Sequence, residues 1–356
     1  MFEAENKEML FSKRLINWYE QNKRDLPWRG ISDPYKIWLS EIILQQTRVN
    51  QGMDYFLRMT ERFPDVKTLA EADEDEVLKY WQGLGYYSRA RNLHAAARMV
   101  VRDFNGEMPS DYHQLLKLKG IGEYTAAAIA SFVQNAPHPV VDGNVFRFLS
   151  RYFGISEPVD GLKGKKLFTE IAASLMDKAH AGLFNQAIME FGALHCVPGQ
   201  PDCPACPFSD ACMAFETNGI ARYPVKQKRT KIQSRYFHYF HIVAGNHTFI
   251  YKRTRKDIWH NLYEFPLIET GRPMSFDELQ REESFRLLFP EGCRAVFRLR
   301  MANRKHVLTH RVLWANFYEV NLPDIPASLN KFIRIDETSL EQYAVHRLMQ
   351  AYLEER

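Results

Sequence analysis

Cysteine is scarce in this sequence: there are five in 356 residues, and four of them fall between 196 and 212. A disulfide-stapled secreted fold would spread them through the chain, so a crowded group points to metal instead. Long apolar runs are missing too, and none could span a bilayer. The start, Met1-Phe2-Glu3-Ala4-Glu5-Asn6-Lys7-Glu8, is acidic and polar, unlike a secretory leader. The expectation is a soluble intracellular protein with no targeting signal. No charge of one sign dominates. A net charge of +4 permits a nucleic-acid partner without arguing for one. There is no internal repeat, no low-complexity segment, and no period-two strand pattern before about residue 230.

What is present is an ordinary globular composition, 46% hydrophobic and 25% charged, on a chain long enough for two domains. The first half reads as successive helices. The second half, after a basic, apolar-poor stretch at Tyr223-Pro224-Val225-Lys226-Gln227-Lys228-Arg229-Thr230-Lys231, turns to strand-like runs at Tyr236–Ala244, Thr248–Arg253, Cys293–Arg298 and Val312–Val320. Helices are expected at Ser275–Leu288 and Leu340–Glu355. That makes the second half an α+β domain.

Pro34 to Thr47 is the most informative stretch. Asp33 and Pro34 suit a helix start, and Ile37, Trp38, Leu39, Ile42, Ile43 and Leu44 make the helix apolar on nearly every face. Such a helix is buried, yet it carries Glu41 in the middle of an apolar stripe. Burial raises the pKa of a carboxylate and suits it to act as a general acid; the plainer alternative is a Glu paired with an Arg or reaching solvent.

Further on, Leu115 to Ala127 reads as helix, two-glycine turn, helix. Gly120 and Gly122 allow backbone amides to face an anion closely, although a plain helix connection looks the same. Asp142, before Gly143-Asn144-Val145, is a good N-cap, worth roughly 1 kcal/mol. A helix N-terminus favours its ionised form, so Glu41 and Asp142 are expected to have their pKa values driven apart. An acid and a charged stabiliser are what glycosidic bond cleavage needs. Cys196, Cys203, Cys206 and Cys212 are spaced C-x6-C-x2-C-x5-C among four prolines. Chemistry alone leaves zinc and a 4Fe-4S cluster both open, though zinc sites usually pair two C-x2-C knuckles.

Together these motifs resemble the helix-hairpin-helix DNA glycosylases that carry an iron–sulfur cluster. Leu26-Pro27-Trp28-Arg29, Ser40-Glu41-Ile42-Ile43-Leu44-Gln45-Gln46-Thr47, Gly83-Leu84-Gly85-Tyr86-Tyr87 and Val141-Asp142-Gly143-Asn144-Val145 are similar to the MutY family of adenine DNA glycosylases. The resemblance is dense in the first half and loose in the second.

The resemblance implies a multidomain protein. Its all-α glycosylase domain would span 1–222, with a six-helix module at about 28–133, the hairpin at 111–133, and a cluster module made of the N-terminal helix and about 134–222. A linker at 223–233 would lead to a Nudix (MutT)-like domain at 234–356. The implied activity is hydrolysis of the N-glycosidic bond of adenine opposite 8-oxoguanine or guanine in double-stranded DNA. The enzyme would be a monomer in a bacterial-type cytoplasm, associated with the nucleoid. Glu41 would protonate the base, Asp142 would stabilise the sugar cation, and Tyr124 and Asn144 would shape the pocket. Trp28 and Arg29 would lie beside adenine; Gln46, Leu84 and Tyr86 would enter the duplex, with Thr47 on the same DNA-facing tip. The four cysteines would hold one 4Fe-4S cluster.

The endonuclease III branch, a bifunctional pyrimidine glycosylase and lyase, carries a nucleophilic lysine just after the hairpin turn. Here that place is Tyr124, so little or no strand cleavage is expected. The Nudix metal box is broken, because Arg281-Glu282 is followed by Glu283-Ser284-Phe285-Arg286, which implies recognition of 8-oxoguanine without hydrolysis. The family's Phe-Ser-His loop is here Leu308-Thr309-His310, which keeps a hydroxyl and loses an aromatic face. A non-enzymatic iron–sulfur DNA-binding protein and a nucleotide hydrolase are weaker alternatives. Glu41 and Asp142 oppose the first, and the broken box opposes the second.

Overall fold

The computed structural model describes residues 2–227 and 232–356. Lys228 to Lys231, the basic part of the expected linker, lies outside the described residues. The chain divides into two compact units, 1–71 with 92–228 and 72–91 with 229–356. The helices of the first half are α1 (Phe2–Asn22), α2 (Pro34–Leu44), α3 (Val49–Arg62), α4 (Val66–Glu71), α5 (Glu74–Tyr80), α6 (Ser88–Asp103), α7 (Tyr112–Leu115), α8 (Glu123–Gln134), α9 (Gly143–Phe153), α10 (Leu162–Leu175), α11 (Ala181–Leu194) and α12 (Met213–Glu216). The division falls within α6, and α5 groups with the second unit.

The first unit packs around aromatic rings. Phe11, Phe148, Phe168, Phe184, Phe191 and Phe208 are all buried in one core, with the Phe148 ring tilted against Phe191 at 4.5 Å and against Phe208 at 5.3 Å. Each such side chain contributes roughly 2–3 kcal/mol on burial. α2 begins as its sequence requires. The Asp33 carboxylate accepts the amides of Tyr35 at 2.9 Å and Lys36 at 3.3 Å, and Pro34 needs no amide partner. The helix is buried from Ile37 through Ile43 and packs against α3 and α8. Val225 and Gln227, before the undescribed stretch, are pinned: Val159 donates its amide to Val225 O, and the Gln227 amide donates to Asp160.

Some boundaries differ from the sequence expectation. The first hairpin helix is only Tyr112–Leu115, because the chain tightens into turns through Leu118 before reaching Gly120. The pattern of the sequence places a helix near Asn185–Leu194, and α11 starts four residues earlier, at Ala181.

The second unit is built on strands β1 (Gln233–Ala244), β2 (His247–Lys252), β3 (Tyr263–Glu264), β4 (Leu267–Thr270), β5 (Val296–Leu308), β6 (Arg311–Asn321) and β7 (Ile333–Asp336). The main path runs β3-β2-β1-β6-β5, with β4 paired to β1 and β7 to β2. β1 and β6 are parallel; the other pairs are antiparallel. β5 is far longer than the expected run at Cys293–Arg298. Its exposed, charged outer stretch hides the alternation, and the hydrogen bonds to β6 extend it to Leu308. The expected helix at Ser275–Leu288 is two short ones, α13 (Phe276–Leu279), started by a Ser275–Glu278 capping box, and α14 (Glu283–Leu288). The closing helix is α15 (Arg347–Glu354), capped by His346. Among the described residues no helix is long and apolar enough to cross a membrane.

Gly120 and Gly122, equal in the sequence, are not equal in space. Gly120 has φ +81°, and a Cβ there would lie 2.7 Å from the Asn92 Cβ; Gly122 has an extended backbone and open space around it. Gly120→Ala should destabilise the first unit by roughly 1–3 kcal/mol, and Gly122→Ala by well under about 1 kcal/mol. Urea unfolding measures both, and equal losses would contradict the assignment.

Candidate active site

A cavity of about 860 Å³ opens in the first unit, walled by α2, the Leu26–Arg29 loop, the starts of α8 and α9, and α11. It brings together Trp28, Arg29, Glu41, Gln46, Thr47, Gly122, Tyr124, Asp142 and Asn144. Trp28 is buried and sets its ring edge-on against Phe56 at 5.1 Å, so it is both packing and wall.

Glu41 is only 8% exposed. Burial pushes its carboxyl up to about 7, opposed by a hydrogen bond from the Tyr124 hydroxyl and the charge of Arg29, and assisted by the charge of Asp142. The Tyr124 hydroxyl, held well above its ordinary range by burial and then by Glu41 and Asp142, stays protonated and donates. One Arg29 nitrogen, Nη1, has no hydrogen-bond partner among the described residues.

Asp142 caps α9. Its Oδ1 accepts the amides of Asn144 and Val145, both at 2.8 Å, and its Oδ2 accepts Asn144 Nδ2 at 2.8 Å. The expected lowering of its pKa is not found. Burial dominates and raises it, against the Val145 and Asn144 hydrogen bonds and the Arg147 charge. The two carboxyls are still distinguished by their donors. Asp142 receives three hydrogen bonds that favour the charged form, whereas Glu41 receives one from the Tyr124 hydroxyl.

Arg147 fixes this cap. It donates to Asn144 Oδ1 at 2.9 Å, which orients the amide so that its Nδ2 faces Asp142. It also donates to the carbonyls of Cys196, at 2.8 Å, and Gly192. A Cβ at Gly192 would fall 2.6 Å from the Asn144 carbonyl oxygen, so only glycine lets α11 approach the start of α9 this closely.

Cys196, Cys203, Cys206 and Cys212 are all free thiols bordering one cavity, together with Phe148, Phe191, Phe208 and Arg151. Arg151 donates to Cys196 Sγ at 3.5 Å. Burial, and then the neighbouring cysteines, push the Cys206 thiol up to about 12 against a bond from the Phe208 amide. Among the described residues no set of three His, Cys, Asp or Glu side chains closes on a single ion.

At the tip of α2, Gln46 is exposed and has φ +57°. Tyr86, in the second unit, is half exposed at φ +46°. Left-handed backbone is uncommon for such residues and is a mark of functional sites. Leu84 differs from Tyr86. It is 6% exposed, turned inward between Gly83 and Gly85, so packing accounts for it in this structure. Leu308 is half-buried, while Thr309 and His310 form the exposed two-residue turn between β5 and β6.

Residues 39–173 match the HhH-GPD superfamily of base excision DNA repair proteins, and 238–355 match the NUDIX domain. An adenine DNA glycosylase of Buchnera aphidicola subsp. Schizaphis graminum is 37% identical over 262 residues, 73% of this chain and 76% of the relative. Another, from Buchnera aphidicola subsp. Baizongia pistaciae, is 33% identical over 311 residues, 86% of this chain and 85% of the relative. The solved structure of a thermostable thymine-DNA glycosylase matches 60% of this chain and 99% of its own, with TM-score 0.56 and 29% identity. The chain belongs to the adenine DNA glycosylase family.

This glycosylase also places residues in the pocket that motif reading missed. Glu190, 2% exposed, lines the cavity with Arg24 and Gln186. Arg24 grips it through Nε and Nη2, both at 2.7 Å, and Arg29 Nη2 approaches at 3.4 Å. Burial would raise the Glu190 carboxyl, but the Arg24 hydrogen bonds and the two guanidinium charges leave it lowered. The signal was available. α11 is an apolar helix carrying one carboxylate, the same anomaly that singled out Glu41.

The raised Glu41 pKa costs the glycosylase stability. The folded chain holds a proton up to about pH 7 that the unfolded chain releases near 4.5, so this part of the stability is present below 4.5 and lost as pH rises through about 7. Glu41→Gln should therefore gain stability over the parent as pH rises, by up to about 3 kcal/mol at about pH 8 relative to about pH 4. Denaturant titrations at the two pH values measure it, and a constant difference would show that the carboxyl is not raised.

Proposed function

We propose that this enzyme hydrolyses the N-glycosidic bond of adenine mispaired with 8-oxoguanine or guanine in double-stranded DNA, acting as a monomer. The observation that carries the chemistry is the pocket holding Glu41, buried, and Asp142, half-buried, two carboxyls with unequal hydrogen-bond donors. The names of the relatives supply the base, adenine, and their coverage of most of the chain supports the transfer.

Glu41, protonated near neutral pH, donates its proton to the flipped adenine and makes it a leaving group. Tyr124 holds the Glu41 carboxyl by its hydroxyl. Asp142, positioned by Asn144 and through it by Arg147, stabilises the positive charge that develops at C1′ as the bond breaks, or bonds transiently to that carbon. A water then adds to C1′ and returns a proton to the Glu41 carboxylate. Trp28 and Arg29 wall the base, and Arg29 Nη1 is free to donate to it. The extruded nucleotide leaves a gap; Gln46, exposed and left-handed, contacts the duplex with Thr47 beside it, and Tyr86 of the second unit contacts the duplex too. Gly120 and Gly122 bring the first-turn amides of α8 to a backbone phosphate. In the second unit, Thr309 with Leu308 and His310 reads the base opposite adenine.

Tyr124 occupies the place where a lyase needs an amine. A tyrosine cannot form a Schiff base, so the abasic strand is left intact. The thymine-DNA glycosylase likeness does not alter this assignment, because the pocket carries an acid and an aspartate and no lysine.

Cys196, Cys203, Cys206 and Cys212 fit one 4Fe-4S cluster. Four thiols border one cavity with three phenyl rings, and Arg151 donates to Cys196 Sγ; burial keeps the Cys196, Cys203 and Cys206 thiols protonated, so cluster binding would displace their protons. When bound, the cluster crosslinks the loop that follows α11.

Single-turnover assays on duplexes with adenine opposite 8-oxoguanine test the chemistry. The parent should release adenine and leave an uncut strand until alkali is added, and its rate should fall as pH rises through about 7 as Glu41 loses its proton. Glu41→Gln and Asp142→Asn should each lose at least about a hundredfold in rate. Full activity of Glu41→Gln would refute the general acid, and strand cleavage without alkali would favour the bifunctional alternative. For the cluster, the purified protein should be brown with broad visible absorption, and Cys212→Ser should lose it; a colourless protein containing zinc would overturn the assignment.

A further inference from the structure

A second cavity, of about 480 Å³, lies wholly in the second unit, lined among others by Tyr86, Arg91, Trp259, Leu308, Thr309 and His310. Its back wall is unusual. Trp259 sits at φ +58°, a costly conformation for a bulky side chain, and is nonetheless 9% exposed. Two surroundings hold it there. Its indole stacks on the His346 ring at 3.8 Å and 9°, and meets His306 of β5 at 5.7 Å. The loop backbone around it is clamped at several points. Arg253 Nε donates to Ile258 O at 2.8 Å, Arg91 to His260 O at 2.7 Å, and the Leu262 amide to Trp259 O at 3.0 Å.

The stacking partner is itself fixed. His346 Nδ1 accepts the Met349 amide at 3.1 Å, which requires an unprotonated Nδ1 and places the ring proton on Nε2. Nε2 then faces Glu264 at 3.4 Å and the Tyr239 hydroxyl at 3.2 Å. Glu264, fully buried, is neutralised by Arg253 at 2.7 Å, and Arg253 grips Asp257 with a second nitrogen at 2.9 Å. A buried ion network therefore ends on one strained tryptophan at the wall of a cavity. Core packing alone gives no reason for the strain, because an asparagine or glycine would take that backbone more readily.

The wall faces the reading turn. His306 and Leu308 are two apart on β5 and share a strand face, so Trp259 against His306 lies beside Leu308. Thr309 follows at the turn, its hydroxyl 3.0 Å from the Tyr86 hydroxyl, and the turn's His310 O accepts the Gln233 amide at 3.1 Å. We propose that Trp259 is a specificity-determining positioning residue. Seated on His346 and against His306, it fixes the back of the Leu308-Thr309-His310 turn, so that the Thr309 hydroxyl is presented in one place to the base opposite adenine. This rests on the proposal that the turn reads that base. The indole supplies the rigid aromatic support that Leu308 itself lacks.

The test compares single-turnover excision of adenine opposite 8-oxoguanine and opposite guanine for the full chain and three variants. Thr309→Val tests the reading of the turn, and it should lower the 8-oxoguanine preference. Trp259→Leu should lower the same ratio by about tenfold, the scale of one well-placed contact, and Trp259→Phe, which can still stack on His346, should restore most of it. A lowered ratio in Thr309→Val with parental ratios in both Trp259 variants overturns the positioning role and leaves the turn's reading intact. Unchanged ratios in all three overturn both. An equal fall on both duplexes for Trp259→Leu, unrestored by Trp259→Phe, assigns Trp259 to structure alone and also overturns the proposal.

Discussion

One guanidinium ties the first unit's chemistry to its scaffold. Arg147 donates to the Asn144 side chain and to the carbonyls of Gly192 and Cys196. The first contact orients the amide that holds Asp142, the second belongs to α11, and the third to the start of the cysteine loop. A planar fork with five donors is the side chain that can hold three acceptors on three elements at once. The glycine at 192 makes the geometry reachable, since any Cβ would push α11 off the start of α9. The start of the cysteine loop and the Asp142 cap of α9 are therefore joined through one side chain.

The pocket shows how donors, more than burial, sort carboxyls. α2 and α11 are both apolar helices with a single acid aimed at the same cavity. Glu41 meets a tyrosine hydroxyl and its carboxyl rises to about 7; Glu190 meets Arg24 and Arg29 and its carboxyl falls. Asp142 lies between them, buried enough to be raised yet capped by three hydrogen bonds. Burial acts on all three in the same direction, and the neighbouring side chain decides which one keeps its proton.

Strain marks the outward-facing parts. Gln46, Tyr86 and Trp259 all hold left-handed backbone, the first two at exposed tips and the third at a cavity wall braced by buried ions. Each is a residue that local propensity would place elsewhere, so each requires the surrounding fold to impose its conformation.

Much was legible in the residues alone. The burial of α2 follows from its apolar stripe, the start of α9 from an Asp-Gly-Asn cap, and the cysteine loop from spacing, because these depend on chemistry within a few residues of chain. Other features depend on partners far away in sequence. The length of β5 is set by hydrogen bonds to β6, the inequality of Gly120 and Gly122 by Asn92, and the inward turn of Leu84 by its packing. The raised carboxyl of Asp142 needed the desolvation that the surrounding pocket walls impose, which no local pattern reports. The sequence by itself singled out Glu41, Asp142 and the four cysteines as candidates and put a tyrosine, not a lysine, at position 124. Only the tertiary structure decided their protonation, their orienting partners such as Arg147 and Tyr124, and the placing of Glu190 and Trp259, because electrostatics and packing are summed over space and not along the chain.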